Sequence, residues 1–248
     1  MHVTDPAVRV LEDNAALARA GADLVGSLVA AAPSASIVVA TGETPMGIYG
    51  ELARDREAGL LDTSRLRVVQ LDDYVGVGPD DPRSLFGWMV HSFLDPLGIP
   101  LERVERLPTQ GDLEAGCAAF DRSVDTSGGV DLAILGIGAN GHLGFNEPPS
   151  EASSMTREVE LSRSTIDANA RYWGTHTAVP PRAVTMGLAP LLRSRRIVLV
   201  ASGAGKRDIV ERALRGPMTP DVPASHLRLA ADAIVLLDRA AAPRGAHT

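Results

Sequence analysis

Short apolar runs punctuate this chain: Ser-Ile-Val-Val-Ala over 36–40, Arg-Val-Val-Gln-Leu over 67–71, Leu-Ala-Ile-Leu over 132–135, Arg-Ile-Val-Leu-Val over 196–200 and Ala-Ile-Val-Leu-Leu over 233–237. Each is too short for a helix and shows no apolar–polar alternation. That is the pattern of a strand buried on both faces of a parallel sheet. A shorter run of this kind covers 104–107, and 157–161 reads as an extended piece.

The intervening stretches predict helices. Asp5-Pro6 is a good helix start, an acceptor before a residue preset for the first turn. The Ala- and Leu-rich stretch behind it predicts a helix running to about residue 32, ended by Pro33-Ser34. Further helices are expected over 46–57, 84–94, 113–124, 164–172, 188–192 and 207–214, the last ended by Gly216-Pro217. Strand and helix alternate throughout, so the fold class is α/β: a single open, mostly parallel sheet with helices on both faces, a modified Rossmann-like, three-layer arrangement. Without an internal repeat or a low-complexity linker, 1–248 reads as one domain. Residues 157–186 have weaker periodicity and read as a small lid segment within it.

Composition narrows the class of protein. A hydrophobic fraction of 45% supports a sizeable core. The net charge is −7, from 24 basic and 31 acidic residues. That leaves no large positive field for nucleic acid or an anionic membrane, while a small anion needs only a local cluster of donors. The single cysteine, Cys117, excludes an intramolecular disulfide and a Cys-rich metal site, and it reads as a small core residue of the helix over 113–124. No signal-like segment opens the sequence and no apolar run is long enough to span a bilayer, so a soluble, cytoplasmic protein is expected.

Candidate chemistry gathers just after the strands, where an open α/β sheet places its ligand crevice. Thr41-Gly42-Glu43-Thr44-Pro45 follows the run over 36–40 and leads into a helix. Free N–H groups and two hydroxyls there suit an anionic group, although a simple helix cap explains the segment equally well. Asp72-Asp73-Tyr74 follows 67–71; a carboxylate half shielded from water there can act as a general base, or merely cap the next segment. The run over 132–135 stops at Gly136, and Asn140, His142 and Glu147 follow within a Gly-rich turn. Ala201 to Lys206 repeats the strand-to-turn pattern with a Lys at a helix start; alone, it reads as a solvated charge.

Set side by side, these strand ends resemble the glucosamine-6-phosphate deaminase family, within a superfamily that includes 6-phosphogluconolactonases and sugar-phosphate isomerases. The matching segments are Ala40-Thr41-Gly42-Glu43-Thr44-Pro45, Leu71-Asp72-Asp73-Tyr74-Val75-Gly76, Gly136 to Pro148, Asn169-Ala170-Arg171-Tyr172 and Gly205-Lys206. Asn140-Gly-His-Leu-Gly-Phe-Asn-Glu-Pro is the most specific of them. The resemblance implies conversion of glucosamine 6-phosphate and water to fructose 6-phosphate and ammonia, with no metal or organic cofactor. It assigns Asp72 to proton transfer between carbons 2 and 1, His142 to ring opening, and Asn140 and Glu147 to orienting that histidine. Thr41, Gly42, Glu43, Thr44, Arg171 and Lys206 would form the phosphate pocket. The family includes monomers and hexamers, which leaves a homo-oligomer open.

The residue types suit that chemistry independently. One carboxylate suffices to deprotonate a carbon beside an imine, and a His titrating near neutrality serves ring opening in both directions. A guanidinium fork, an ammonium and backbone N–H groups are what a phosphate needs. Departures from the family pattern fall at Glu43, where a small residue is usual and a carboxylate repels phosphate unless turned away, at Asp73 for Glu, and at Leu85 for Tyr. Thr156-Arg157 is followed by Glu158-Val159-Glu160 instead of the basic residue of allosteric members, which predicts no activation by N-acetylglucosamine 6-phosphate. Other readings are a deaminase or isomerase of another amino-sugar phosphate such as galactosamine 6-phosphate, a 6-phosphogluconolactonase, and a sugar-phosphate-sensing domain without turnover. Phe145-Asn146-Glu147-Pro148 argues against the lactonase, and retention of Asp72, His142 and Glu147 against the sensor.

Overall fold

The computed structural model describes residues 3–78 and 80–245. In chain order, β1 (Ala7–Leu11) leads to α1 (Asn14–Ala31), β2 (Ser36–Val39), α2 (Glu43–Glu57), β3 (Arg67–Gln70) and β4 (Asp72–Tyr74). Next, α3 (Leu85–Met89) continues through a wider-turned stretch, Val90–Leu94, into α4 (Asp95–Leu97). Then come β5 (Val104–Glu105), α5 (Leu113–Thr126), β6 (Leu132–Gly136), β7 (Arg157–Glu160), α6 (Arg163–Trp173) and β8 (Arg182–Thr185). The chain closes with α7 (Leu188–Leu192), β9 (Arg196–Ala201), α8 (Arg207–Arg215) and β10 (Ala233–Asp238).

The apolar runs form a seven-stranded sheet in the order β1-β10-β9-β6-β2-β3-β5, with every neighbouring pair parallel. Alternate side chains feed two cores. Val38, Val69, Leu135, Leu199 and Leu237 face α5, α7 and α8, whereas Ile37, Val68, Ile134, Val198 and Leu236 face α1, α2 and α3. This is the open sheet with helices on both faces that the strand–helix alternation predicts. Cys117 lies buried in α5 as expected. Among the described residues, no helix is long and apolar enough to cross a membrane.

Strand order reverses beside β2. The chain runs outward from β2 through β3 to β5, then returns to lay β6 on the other side of β2. Such a reversal opens a crevice at the carboxyl ends of the strands. A three-stranded antiparallel sheet, β4-β8-β7, stands beside that crevice and is tied to the main sheet where Met186 N donates to Leu71 O at 2.8 Å. A small third core of Tyr74, Phe145, Leu161, Val179 and Ala183 receives Ile166, Ala170 and Trp173, and so carries α6 across the crevice. Trp173 meets the Tyr74 ring edge-on at 5.2 Å, which makes it a packing residue.

Two expectations need correction. The helix expected from Asp5-Pro6 does not begin there: Ala7–Leu11 is β1, a parallel edge strand on β10, and α1 starts at Asn14 behind an Asp13 cap that accepts from Ala16 N at 2.8 Å. Val8 and Val10 flank Arg9 with a period of two, and the free edge of β10 takes them up. β4 and β8 were not expected as strands; their polar ends hide the pattern, and their pairing is set by each other.

Asp73 joins β4 to α3. Its buried carboxylate accepts from Gln70 Nε2 at 2.8 Å, Tyr74 N at 2.8 Å, Leu85 N at 2.9 Å and Phe86 N at 3.1 Å. Truncation strands these donors, so Asp73→Ala should cost about 3 kcal/mol in urea unfolding. A loss under about 0.5 kcal/mol, the level of an ordinary surface change, would contradict this role.

Candidate active site

The ends of β2, β3, β6 and β9 open into one cleft of about 300 Å³. Thr41, Gly42, Glu43, Thr44, Asp72, Asn140, His142, Arg171 and Lys206 all line it. Glu147 lies behind that wall and reaches the cleft through its neighbours: Asn140 Nδ2 donates to Glu147 Oε2 at 2.6 Å, and His142 Nδ1 is 3.4 Å from Glu147 Oε1. The expected site residues therefore come together. His176 is exposed and does not line the cleft. The Arg193, Arg195 and Arg196 cluster is matched by Asp125, Asp131 and Asp232, beside the amino ends of the strands, away from the cleft.

The turn after β6 is shaped around the imidazole. Gly138 N donates to His142 O at 3.0 Å, and Gly141, at φ +92°, donates to Gly138 O at 3.0 Å. A Cβ on Gly138 would overlap the imidazole, so only glycine lets the ring lie there. His142 N donates to Asn140 Oδ1 at 3.2 Å, so Asn140 holds both the backbone of the histidine and the carboxylate behind it. With Glu147 beside Nδ1, the proton of a neutral ring belongs on Nδ1, leaving Nε2 as the acceptor. Thr165 of α6 also approaches Nδ1, at 3.5 Å.

Two carboxylates here have proton affinities pushed in opposite directions. Burial, then the charge of Asp73, raises Asp72 to about 8, with Thr41 opposing slightly. Its Oδ1 is buried with no hydrogen-bond partner among the described residues. Burial also acts to raise Glu147, but hydrogen bonding and charge at His142, with Thr165 and Asn140, prevail and hold it at about 2. A carboxylate kept ionised is suited to orienting the imidazole, and one that binds a proton readily is suited to acting as a base.

The other end of the cleft is cationic. α2 starts at Glu43, three residues earlier than expected, so the backbone N–H groups of its first turn face the cleft beside Thr41 and Thr44. Lys206 Nζ donates to Ile137 O at 2.6 Å, and its ammonium pKa is lowered by burial and then by the Arg171 charge. Arg171 projects from α6. Glu43 does not point away from it: its Oε1 is 2.9 Å from Arg171 Nη1. Among the described residues, no three His, Cys, Asp or Glu side chains gather to hold a metal ion.

Tyr172 and Leu85, noted in the sequence only within a matching segment and as a departure from it, line the cleft; Thr165 also lines it and was missed. Thr165, Asn169 and Tyr172 share one face of α6 at i, i+4 and i+7, a spacing that marks that face as the cleft side once Asn169 and Arg171 are suspected.

The fold is of the open α/β class, and its cleft gathers carboxylates, an imidazole and two cationic side chains, groups suited to acid–base chemistry. The chain matches the family model for glucosamine-6-phosphate isomerases/6-phosphogluconolactonase over residues 12–236 and belongs to that family. It is 36% identical over 228 residues to the glucosamine-6-phosphate deaminase of Thermoanaerobacter pseudethanolicus, covering 91% of this chain and 90% of that one. With the deaminase of Lachnoclostridium phytofermentans the identity is 39% over 222 residues, 89% of this chain and 94% of the other. A solved monomeric glucosamine-6-phosphate deaminase superposes with a TM-score of 0.92 at 37% identity, covering 95% of this chain and 98% of that one. The 6-phosphogluconolactonase of Leishmania guyanensis shares the fold, with a TM-score of 0.76 at 20% identity, over 98% and 99% of the two chains.

Two outcomes follow from this geometry. Gly138→Ala displaces the imidazole and should lower kcat/KM by about 100-fold; activity within threefold of wild type would contradict the packing. The raised folded-state pKa of Asp72 means that the native state holds a proton that the unfolded chain has released. The stabilisation from that proton is full below about pH 4 and is lost as pH rises through about 8. Asp72→Asn should therefore gain thermal stability relative to wild type as pH rises from 4 to 8 and level off above; a pH-independent difference in Tm would contradict the buried, unpaired state.

Proposed function

We infer that the protein converts glucosamine 6-phosphate and water to fructose 6-phosphate and ammonia. The observation that carries this reading is the opposed tuning of Asp72 and Glu147 around His142, with a cationic subsite at the other end of the same cleft. The substrate phosphate sits at the α2 N-terminus, between Thr41–Thr44, Arg171 and Lys206. A helix N-terminus, a guanidinium and an ammonium are complementary to a dianion. His142 Nε2 takes the proton of the anomeric hydroxyl and returns one to the ring oxygen, which opens the pyranose. Glu147 stabilises the imidazolium formed between those steps. Asp72 then moves the carbon-2 proton, acidified by the carbon-1 aldehyde, to carbon 1. Carbon 2 becomes an imine, water adds to it, and ammonia leaves. One water is consumed and one C–N bond broken, so the reaction is a hydrolysis coupled to aldose–ketose isomerisation.

Residues 157–186 act as the lid of a single-domain enzyme in this reading. In support, α6 lies in that segment and brings Thr165 to His142 and Arg171 to the phosphate subsite. A cytoplasmic location is supported by the substrate, since a sugar phosphate does not cross membranes unaided. Arg157 is turned inward, donating to Asn146 Oδ1 and Ser150 Oγ, each at 2.9 Å, and Glu158 pairs with Arg182.

Ammonia release from glucosamine 6-phosphate tests the reading, with galactosamine 6-phosphate and 6-phosphogluconolactone run in parallel. Release is expected from the gluco sugar, falling about 10²- to 10⁴-fold in Asp72→Asn. Lactone hydrolysis without ammonia would overturn it. N-acetylglucosamine 6-phosphate should leave the velocity curve hyperbolic and unshifted; activation would contradict the inward arrangement of Arg157.

A further inference from the structure

A carboxylate in the middle of a phosphate subsite calls for an explanation. Glu43 is the first residue of α2, and its Oε1 lies 2.9 Å from Arg171 Nη1, with the Tyr172 hydroxyl donating to the same oxygen at 3.5 Å. Arg171 in turn stacks its guanidinium over the Tyr172 ring at 4.7 Å. Glu43 also acts on Lys206, where its charge raises an ammonium pKa that burial and Arg171 lower. One anion and two cations thus share the mouth of the subsite, and the anion lies on the guanidinium best shaped for phosphate.

We propose that Glu43 is an affinity-setting latch: it holds Arg171 in the free protein, and the substrate phosphate must displace it. This rests on the assignment of Arg171 and Lys206 to the phosphate subsite. The Glu43 and Arg171 side chains are 69% and 58% exposed, so they form a surface ion pair, worth little and readily exchanged. A phosphate of charge about −1.5 to −2 makes the stronger, bidentate contact with the guanidinium and wins it. The exchange still costs the ligand part of its binding. Affinity is weakened for any anion that reaches only this subsite, inorganic phosphate above all. Substrate bears the same loss but adds contacts along the rest of the cleft. Because such phosphate binding is shared by ground and transition states, weakening it raises KM without slowing the chemical step.

Glu43→Gln separates this role from others, with inorganic phosphate as the competing ligand. Both KM for glucosamine 6-phosphate and the inhibition constant of inorganic phosphate should fall, by about two- to fivefold at low ionic strength, with the gap to wild type closing as salt is added. Unchanged constants would overturn the proposal. So would raised ones, since they would mean that Glu43 positions Arg171 for phosphate instead of competing for it. Arg171→Gln and Lys206→Gln run alongside. If each raises both constants about tenfold while Glu43→Gln does not lower them, the latch alone fails. If neither raises them, the phosphate subsite itself is misassigned and the latch fails with it.

Discussion

Parallel strands all point the same way, and that constraint organises this molecule. Every turn that leaves a carboxyl end emerges at one edge of the sheet, and the reversal beside β2 opens that edge into a crevice. Groups far apart in sequence, from Thr41 to Lys206, meet there without any device of their own. The opposite edge carries the amino ends and ion pairs such as Arg196 with Asp232. The buried sheet supplies the rigidity, and residues just beyond it supply the chemistry.

Within the crevice, burial does different work on different groups. Asp72 is desolvated, with no partner for its Oδ1 among the described residues, so it binds a proton far more readily than an ordinary carboxylate. Glu147 is also shielded, yet His142, Thr165 and Asn140 keep it ionised. Asp73 is held by three backbone N–H groups and Gln70, which fix it as an anchor while its charge adds to the proton affinity of Asp72. One short run of sequence, Gln70 to Tyr74, therefore joins sheet, proposed base and anchor. The same low-dielectric setting that raises the proton affinity of Asp72 costs the fold stability when that carboxylate is charged.

Much of this was legible in the sequence because fully buried strands leave unbroken apolar runs, and the site follows those runs directly. Asp72 and His142 stood out as candidates from their position after a strand, whereas Lys206 alone read as a solvated charge. Roles for all three came only as implications of the resemblance. Legibility fails where tertiary pairing decides. β1 reads as helix until the free edge of β10 is known, and β4 and β8 are polar strands stabilised by each other. Thr165 sits on a helix whose cleft face becomes visible only once α6 is docked on Tyr74 and Phe145. The partner of Glu43 was out of reach for the same reason: the sequence shows a carboxylate beside a phosphate turn, and only the fold shows Arg171 waiting on it.

The central claim is that the buried Asp72 carboxylate is the base that moves hydrogen between carbons 1 and 2. Hydrogen exchange at carbon 1 of fructose 6-phosphate, followed by proton NMR in heavy water with ammonium present, reads that step without ring opening or net turnover. The wild-type protein should wash out one of the two carbon-1 hydrogens, and Asp72→Asn should leave both in place at saturating sugar phosphate. Exchange in Asp72→Asn at the wild-type rate would assign the proton transfer to another group and contradict the account.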